Sequence, residues 1–133
     1  MADVETESSC RDFVVRWFRA LDDRDYETLA ESFTEDGVWE RGSERLVGPD
    51  AVRAAMATRA ADLETQHLAL NMVVDIESED RAIVSYTIMT YAQLTDKPYH
   101  LHGMFRAADH LTRTAAGWRL VRRSATPAFP AQD

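Results

Sequence analysis

The run HLALNMVVDIE opens on an imidazole, His67. Imidazole takes and returns a proton near neutral pH without large tuning, so a histidine facing a hollow can act as general acid and base. A carboxylate on one ring nitrogen would fix the tautomer and make the other nitrogen the better base. The run alternates as a strand does. Leu68, Leu70, Met72, Val74 and Ile76 fall on one side, and His67, Ala69, Asn71 and Val73 on the other. The second side carries small or apolar residues near His67, which is not a plain wet surface. The alternative use of His67 is packing, with its ring bonded to a main-chain carbonyl.

Three carboxylates, Asp22, Asp23 and Asp25, crowd one turn. Asp25 suits the N-cap of a following helix. Asp22 follows Trp17 and Phe18 by about one turn and can share their face. It also closes a predicted helix, where the macrodipole disfavours an anion by about 0.3–1 kcal/mol. A residue placed against local preference points to another use, so Asp22 is the preferred partner of His67. Simple exposure to solvent is its alternative.

The stretch HLHGMFRAADH holds His100, His102, His110 and Asp109. His-x-His on a strand puts two rings on one face, and a third ligand would complete a metal site. However, His100 follows the loop signal DKPY, and Asp109 and His110 point to opposite faces, so no metal is expected. Trp39, Trp118 and Phe129 read as core or interface aromatics. Arg122 and Arg123 read as a solvated or salt-bridged strand end. Cys10 lies on the apolar side of its helix without a basic pair to make it a nucleophile. The sequence has no Gly-rich phosphate loop, Ser-His-Asp elbow or dinucleotide fingerprint, and no cofactor is expected.

The elements that must position these residues follow from period and punctuation. Residues 1–8 read as a flexible charged tail, and residues 9–133 as a single domain. Ser8 or Ser9 caps a helix whose apolar face is Cys10, Val14, Trp17, Phe18 and Leu21. Asp25 caps a short second helix with Tyr26, Leu29, Ala30 and Phe33 on one face. TEDG reads as a turn, and VWER and the end of GSERLVG as a hairpin of short strands. GPDAVRAAMATRAADL reads as a third helix with Pro49 in its first turn and Val52, Met56 and Leu63 buried. From about Thr65 the period becomes that of strands. Four follow, joined by SED, TDKPY and AAG. Helices first and an antiparallel meander later make an α+β fold, in which a curled sheet holds the helices on its concave side and leaves a pocket.

The 133 residues fit one core, and 45% hydrophobic content excludes a disordered chain. The net charge of −8 argues against nucleic acid and against an anionic membrane surface. One cysteine allows no internal disulfide. No apolar run approaches the roughly 20 residues of a membrane span. The opening MADVETESS is acidic and lacks an apolar stretch, so no signal peptide is expected, and a cytoplasmic location is.

This order of elements, with RWFRALDDRDYETL, TQHLAL and GWRLVRR as landmarks, resembles the NTF2-like superfamily and within it the SnoaL-like and scytalone-dehydratase-like branch. The resemblance spans about residues 9–125. It implies three N-terminal helices packed on a curved, mostly antiparallel sheet shaped as a cone. It implies His67 as general acid/base, Asp22 as its orienting partner, and a substrate pocket that includes Trp17, Phe18, Trp39, Met89, Tyr91 and Phe105. By the same analogy the face of Thr87, Met89, Tyr91 and Gln93 lines the pocket; core packing is the plainer use of Tyr91. The tyrosines with which those dehydratases polarise a carbonyl fall on Leu21 and near Arg41, their second histidine near Gln93, and their serine and asparagine near Phe105 and Ala107. The histidine–aspartate pair is kept and the substrate-recognising shell is not, which weighs against scytalone itself.

The reading is a small cofactor-independent enzyme. It would carry out a dehydration or isomerisation on a small apolar carbonyl compound, polyketide- or steroid-like. The alternatives are a non-catalytic ligand-binding or assembly module, and a structural small subunit of an oxygenase. A homodimer through the outer sheet face is expected, because Ala82, Val84, Tyr86 and Ile88 oppose Ile83, Met89 and Tyr91, leaving both faces of one strand apolar.

Overall fold

The computed structural model describes residues 2–130. Helix α1 runs Ala2–Asp22, with Asp3 and Glu5 in its first turn, where the dipole favours acids. Residues 2–8, expected as a flexible tail, are thus the first turns of α1. Ser9 is no cap: its hydroxyl donates to the Thr6 carbonyl and accepts from Trp118 Nε1 at 3.0 Å. Cys10, Val14, Trp17, Phe18 and Leu21 are buried, as their spacing requires. Arg24, at φ 63°, turns the chain out of α1. Asp25 then caps α2 (Tyr26–Glu31), accepting from the Thr28 amide at 3.2 Å. Helix α3 is Pro49–Met56 and buries Val52 and Met56. It stops before Leu63, short of the expected end, and residues 57–63 are turns and irregular chain leading into the next strand. None of these helices is long and apolar enough to cross a membrane.

The strands are β1 (Phe33–Arg41), β2 (Glu44–Val47), β3 (Glu64–Ser78), β4 (Arg81–Gln93), β5 (His100–Thr114) and β6 (Gly117–Pro127). They form one open six-stranded sheet in the order β2-β1-β6-β5-β4-β3. The meander β3–β6 is antiparallel throughout, and β1 lies parallel to β6, so the fold is α+β with a mixed, mostly antiparallel sheet. TEDG, expected as a turn, is the irregular first half of β1, where the pairing with β6 shifts register between Phe33 and Val38. His100 belongs to β5 and is not left in the preceding loop. Trp39 and Trp118 are in the core, whereas Phe129 is exposed.

Bulges decide which residues face the helices. On β3 one extra residue enters between Leu70 and Val73, at Asn71, whose φ is 54°. A bulge reverses the alternation beyond it. His67 and Ala69 therefore face inward before it, and Met72, Val74 and Ile76 after it, while Leu68, Leu70 and Val73 are on the outer face. The single apolar side read through Leu68 to Ile76 is thus divided between two faces. Arg11 of α1 donates to the Met72 carbonyl at 2.8 Å, satisfying a main-chain group at the bulge. On β5, His102 is an extra residue between Gly103 and Leu101, and on β6 the pairing skips Val121.

The last of these bulges turns Arg123 into the core. Arg123 is 2% exposed and forks onto the fully buried Asp109, at 2.8 Å from Nε and 2.5 Å from Nη2. Tyr86 donates its hydroxyl to the same carboxylate at 2.9 Å. Arg122 is salt-bridged near the surface, meeting Glu40 at 2.8 Å, but both arginines lie in the middle of β6 and not at its end.

A left-handed backbone at Asn71 is tolerated by Asn or Gly and strains a β-branched side chain. Asn71→Val is expected to lower unfolding stability by about 1–2 kcal/mol, and Asn71→Gly by clearly less. Urea denaturation of both variants checks this; equal stabilities would show that the bulge is not pinned by Asn71.

Candidate active site

Asp22 ends α1 and points across to the start of β3. One carboxylate oxygen, Oδ1, lies 2.6 Å from His67 Nδ1 and accepts the Thr65 hydroxyl at 2.9 Å. The other, Oδ2, accepts the His67 main-chain N–H at 2.9 Å. Strand β3 is the edge of the sheet, so that amide has no further strand to bond. Three donors from the tripeptide Thr65–His67 outweigh the unfavourable helix end noted above. Burial pushes the Asp22 carboxyl up, but the hydrogen bonds from the His67 ring, the His67 amide and Thr65, with the imidazole's charge, bring it below its ordinary value.

A second tier holds this pair. Thr65 accepts from Arg59 Nη2 at 3.0 Å, and Arg59 Nη1 donates to the Tyr26 hydroxyl at 3.1 Å. Phe18 stacks on the His67 ring, with centroids 5.5 Å apart and planes 27° apart. The imidazole is therefore fixed by a carboxylate on one nitrogen and by an aromatic face. Among the described residues Nε2 has no protein hydrogen-bond partner, which leaves it to the cavity.

That cavity has a volume of about 510 Å³, within the range of small-ligand sites. His67, Thr65, Thr90, Arg59 and His102 supply polar groups, and Trp17, Phe18, Leu21, Trp39, Met56, Ile88 and Phe105 the apolar wall. Arg123 borders it from within the core, and Glu40 and Arg41 also line it. Phe105 lies where a Cβ on Gly103 would come within 2.6 Å of its ring, so that glycine gives the ring its place. Two other hollows, of about 360 and 540 Å³, involve Trp118 and Arg119 or Glu77 and Arg113, and neither contains His67.

Of the residues expected at the site, His67 and Asp22 are brought together, and Trp17, Phe18, Trp39 and Phe105 line the cavity. Met89 and Tyr91 do not. On β4 it is Ala82, Val84, Tyr86, Ile88, Thr90 and Ala92 that are buried against the helices, so the face of Thr87, Met89, Tyr91 and Gln93 is the outer one. Tyr91 there meets Tyr99, ring to ring at 6.2 Å. Thr65, Arg59, Thr90, His102 and Arg123 were not foreseen as cavity residues. Thr65 was within reach of the sequence, two positions before His67 on the same side; His102 and Arg123 depend on bulges that alternation does not reveal. Among the described residues no three His, Cys, Asp or Glu side chains gather to hold a metal, and the His100 and His102 rings are 6.3 Å apart. Cys10 is fully buried, and burial pushes its thiol up to about 11, with Arg113 pulling slightly the other way.

A carboxyl held below its ordinary value contributes stability that is present above the unfolded-state ionisation and lost as pH falls through the folded one. Asp22→Asn is therefore expected to be less stable than the wild type at neutral pH, with the gap shrinking below about pH 4. Denaturant titrations across pH 2–7 check the sign, and a gap that widens in acid would contradict it.

Residues 2–124 match the SnoaL-like domain. No relative is found among curated proteins. Solved structures superpose closely. An NTF2-like protein with a cystatin-like fold from Novosphingobium aromaticivorans has a TM-score of 0.84 at 24% identity, covering 96% of this chain and 85% of that one. A candidate scytalone dehydratase from the same organism has a TM-score of 0.84 at 20% identity, covering 96% and 87%. ActVI-ORFA from Streptomyces coelicolor has a TM-score of 0.80 at 19% identity, covering 93% and 98%. At these identities the superpositions establish a shared architecture and not a shared reaction. The chain belongs to the SnoaL-like family and has the NTF2-like fold.

Proposed function

We propose that this protein is a cofactor-independent acid/base enzyme acting on a small, largely apolar carbonyl compound, in a dehydration or isomerisation. A SnoaL-like domain fits an enzyme or a ligand-binding role. The observation that favours catalysis is the 2.6 Å contact between Asp22 and His67 Nδ1, with the ring on the cavity wall and Nε2 unclaimed by protein. With its Nδ1–H donated to Asp22, His67 presents Nε2 as a base. The carboxylate stabilises the imidazolium that forms when Nε2 takes a proton. The wall of Trp17, Phe18, Trp39 and Phe105 suits a flat apolar molecule better than a sugar or phosphate.

Proton exchange tests this without knowledge of the product. Small aryl ketones and β-hydroxy ketones are incubated with the protein in deuterium oxide, and deuterium alpha to the carbonyl is followed by NMR. The wild type is expected to accelerate exchange with at least one ketone. His67→Ala should lower that rate by roughly 10²–10⁴-fold while the fold persists, and Asp22→Asn should lower it as well. Ketones that bind, by the fluorescence of Trp17 and Trp39, and never exchange would favour the ligand-binding alternative.

We further propose that two copies pair through the outer sheet face. Leu68, Leu70, Val73 and Leu101 are exposed there, each at 39% or more. Scattered apolar residues are normal, but a cluster on one sheet face is not. Light scattering is expected to give twice the chain mass, and a monomer at working concentration would refute the pairing.

A further inference from the structure

Arg123 is a buried cation whose binding capacity the fold uses only in part. Nε and Nη2 are taken by Asp109. The guanidinium carbon lies 3.7 Å from the Trp17 ring centroid and 4.9 Å from that of Phe18. Nη1 has no partner, and among the described residues it is the one buried side-chain polar atom in that state. An unmade hydrogen bond of a buried charged group is costly, and an apolar pair of similar size would often hold a core equally well. The residue that carries the orphan donor also borders the cavity of the candidate acid/base pair. Arg123 borders the cavity that His67 lines, and Phe18 touches both groups, stacking on one and lying over the other.

We propose that Arg123 is the oxyanion-binding group of this cavity, with Nη1 donating to the oxygen of an aromatic ketone or phenol as that oxygen takes negative charge. The reaction step rests on the acid/base reading above; the binding claim does not. In that step His67 Nε2 takes the proton from the carbon alpha to the carbonyl. The C–H electron pair forms a carbon–carbon double bond, and the carbonyl π pair moves onto oxygen as an enolate held by Nη1. As the oxygen pair returns to re-form the carbonyl, the enolate double-bond pair moves to the alpha–beta bond, the beta C–O bond breaks with its pair on oxygen, and the proton on His67 joins that hydroxyl as water. In an isomerisation of an unsaturated ketone the conjugated pair instead takes that proton at the far carbon. The imidazolium and the enolate balance each other's charge throughout. Asp109 neutralises the resting guanidinium and fixes its plane, so an uncharged carbonyl enters a neutral site and charge appears only during the reaction. Tyr86, bonded to the second carboxylate oxygen, keeps Asp109 from turning away. Nη1 has almost no surface of its own, so reaching it requires the side chains over it to part around the ligand oxygen.

The probe is 4-nitrophenol, whose phenolate is distinguished from the phenol by its visible absorbance. The wild type is expected to bind the phenolate roughly tenfold more tightly than the phenol, the scale of one hydrogen bond to a charged group. The bound probe should then ionise about one pH unit below the free one. His67→Ala should keep this preference. Arg123→Lys, which can pair with Asp109 but lacks the fork, should lose it. Arg123→Met combined with Asp109→Leu is the second variant, free of any unpaired buried charge, and should lose it too. A measurement on the wild type alone decides the matter if neither variant folds. With nitrogen-15 arginine, an Nη resonance should move on adding the probe. Neutral binding of the phenol, no binding at all, or an Nη set that stays fixed on saturation would overturn the proposal. Deuterium exchange that depends on His67, together with a phenolate preference indifferent to Arg123, would leave the acid/base reading standing and sink this one. A preference that needs Arg123 without any exchange would do the reverse.

Discussion

One carboxylate fastens the helical layer to the open edge of the sheet. Asp22 uses both oxygens on β3, taking the His67 amide with one and the His67 ring and Thr65 hydroxyl with the other. An edge strand has amides without strand partners, and a helix C-terminus repels an anion. Each of these features is unfavourable alone. Joined, the strand supplies the donors that the anion needs, and the anion supplies the acceptor that the strand lacks. The imidazole is oriented as a consequence of this fastening. A group held by its own main chain as well as its ring has little rotational freedom to lose when it acts, which is the condition for an efficient base.

The sequence carried the outline of this arrangement and missed its faces. Helical spacing from Cys10 to Leu21 located the buried stripe of α1, and the misplaced Asp22 at its end was visible as an anomaly that needed a partner. The change of period near Thr65 located the meander. Strict alternation then failed wherever a residue was inserted. Asn71 divides β3, so that Leu68 and Val74 face opposite ways although both are apolar and separated by an even number of residues. Val121 does the same on β6, and it converts Arg123 from an expected surface residue into the core cation. On β4 no insertion interferes, but both faces of that strand are apolar, so hydrophobicity does not choose between them, and the family resemblance puts Met89 and Tyr91 on the face that the structure turns outward. A bulge leaves little trace in residue type unless a residue such as Asn takes φ above zero, and even then the trace is one residue long.

The cavity has two polar anchors in an otherwise apolar wall, and their chemistry differs. The Asp22–His67 pair can gain and lose a proton. The Arg123 guanidinium is different: burial opposes its charge, but the neighbouring Asp109 carboxylate and Tyr86 hold it above its ordinary ionisation, so it stays charged. A site that moves protons needs both kinds of group. One must change charge during the reaction, and the other must keep its charge while the substrate changes. Phe18 packs against both, stacking on the imidazole and lying over the guanidinium.

The same geometry explains why this fold accommodates binders and enzymes alike. An aromatic wall such as that of Trp17, Trp39 and Phe105 suits a flat molecule whether or not anything reacts. What turns retention into catalysis is a difference in binding between the ground state and the transition state. On the proposed reading the wall contacts change little as a ketone becomes an enolate, because apolar packing does not depend on where the charge lies. The contacts that would change are at Nε2, which would gain a proton, and at the ketone oxygen, which would gain charge. On the proposed reading only His67 and Arg123 meet those two atoms, so the step from ligand-binding module to enzyme rests on two side chains that the alternation of the strands, undisturbed, would not have brought together.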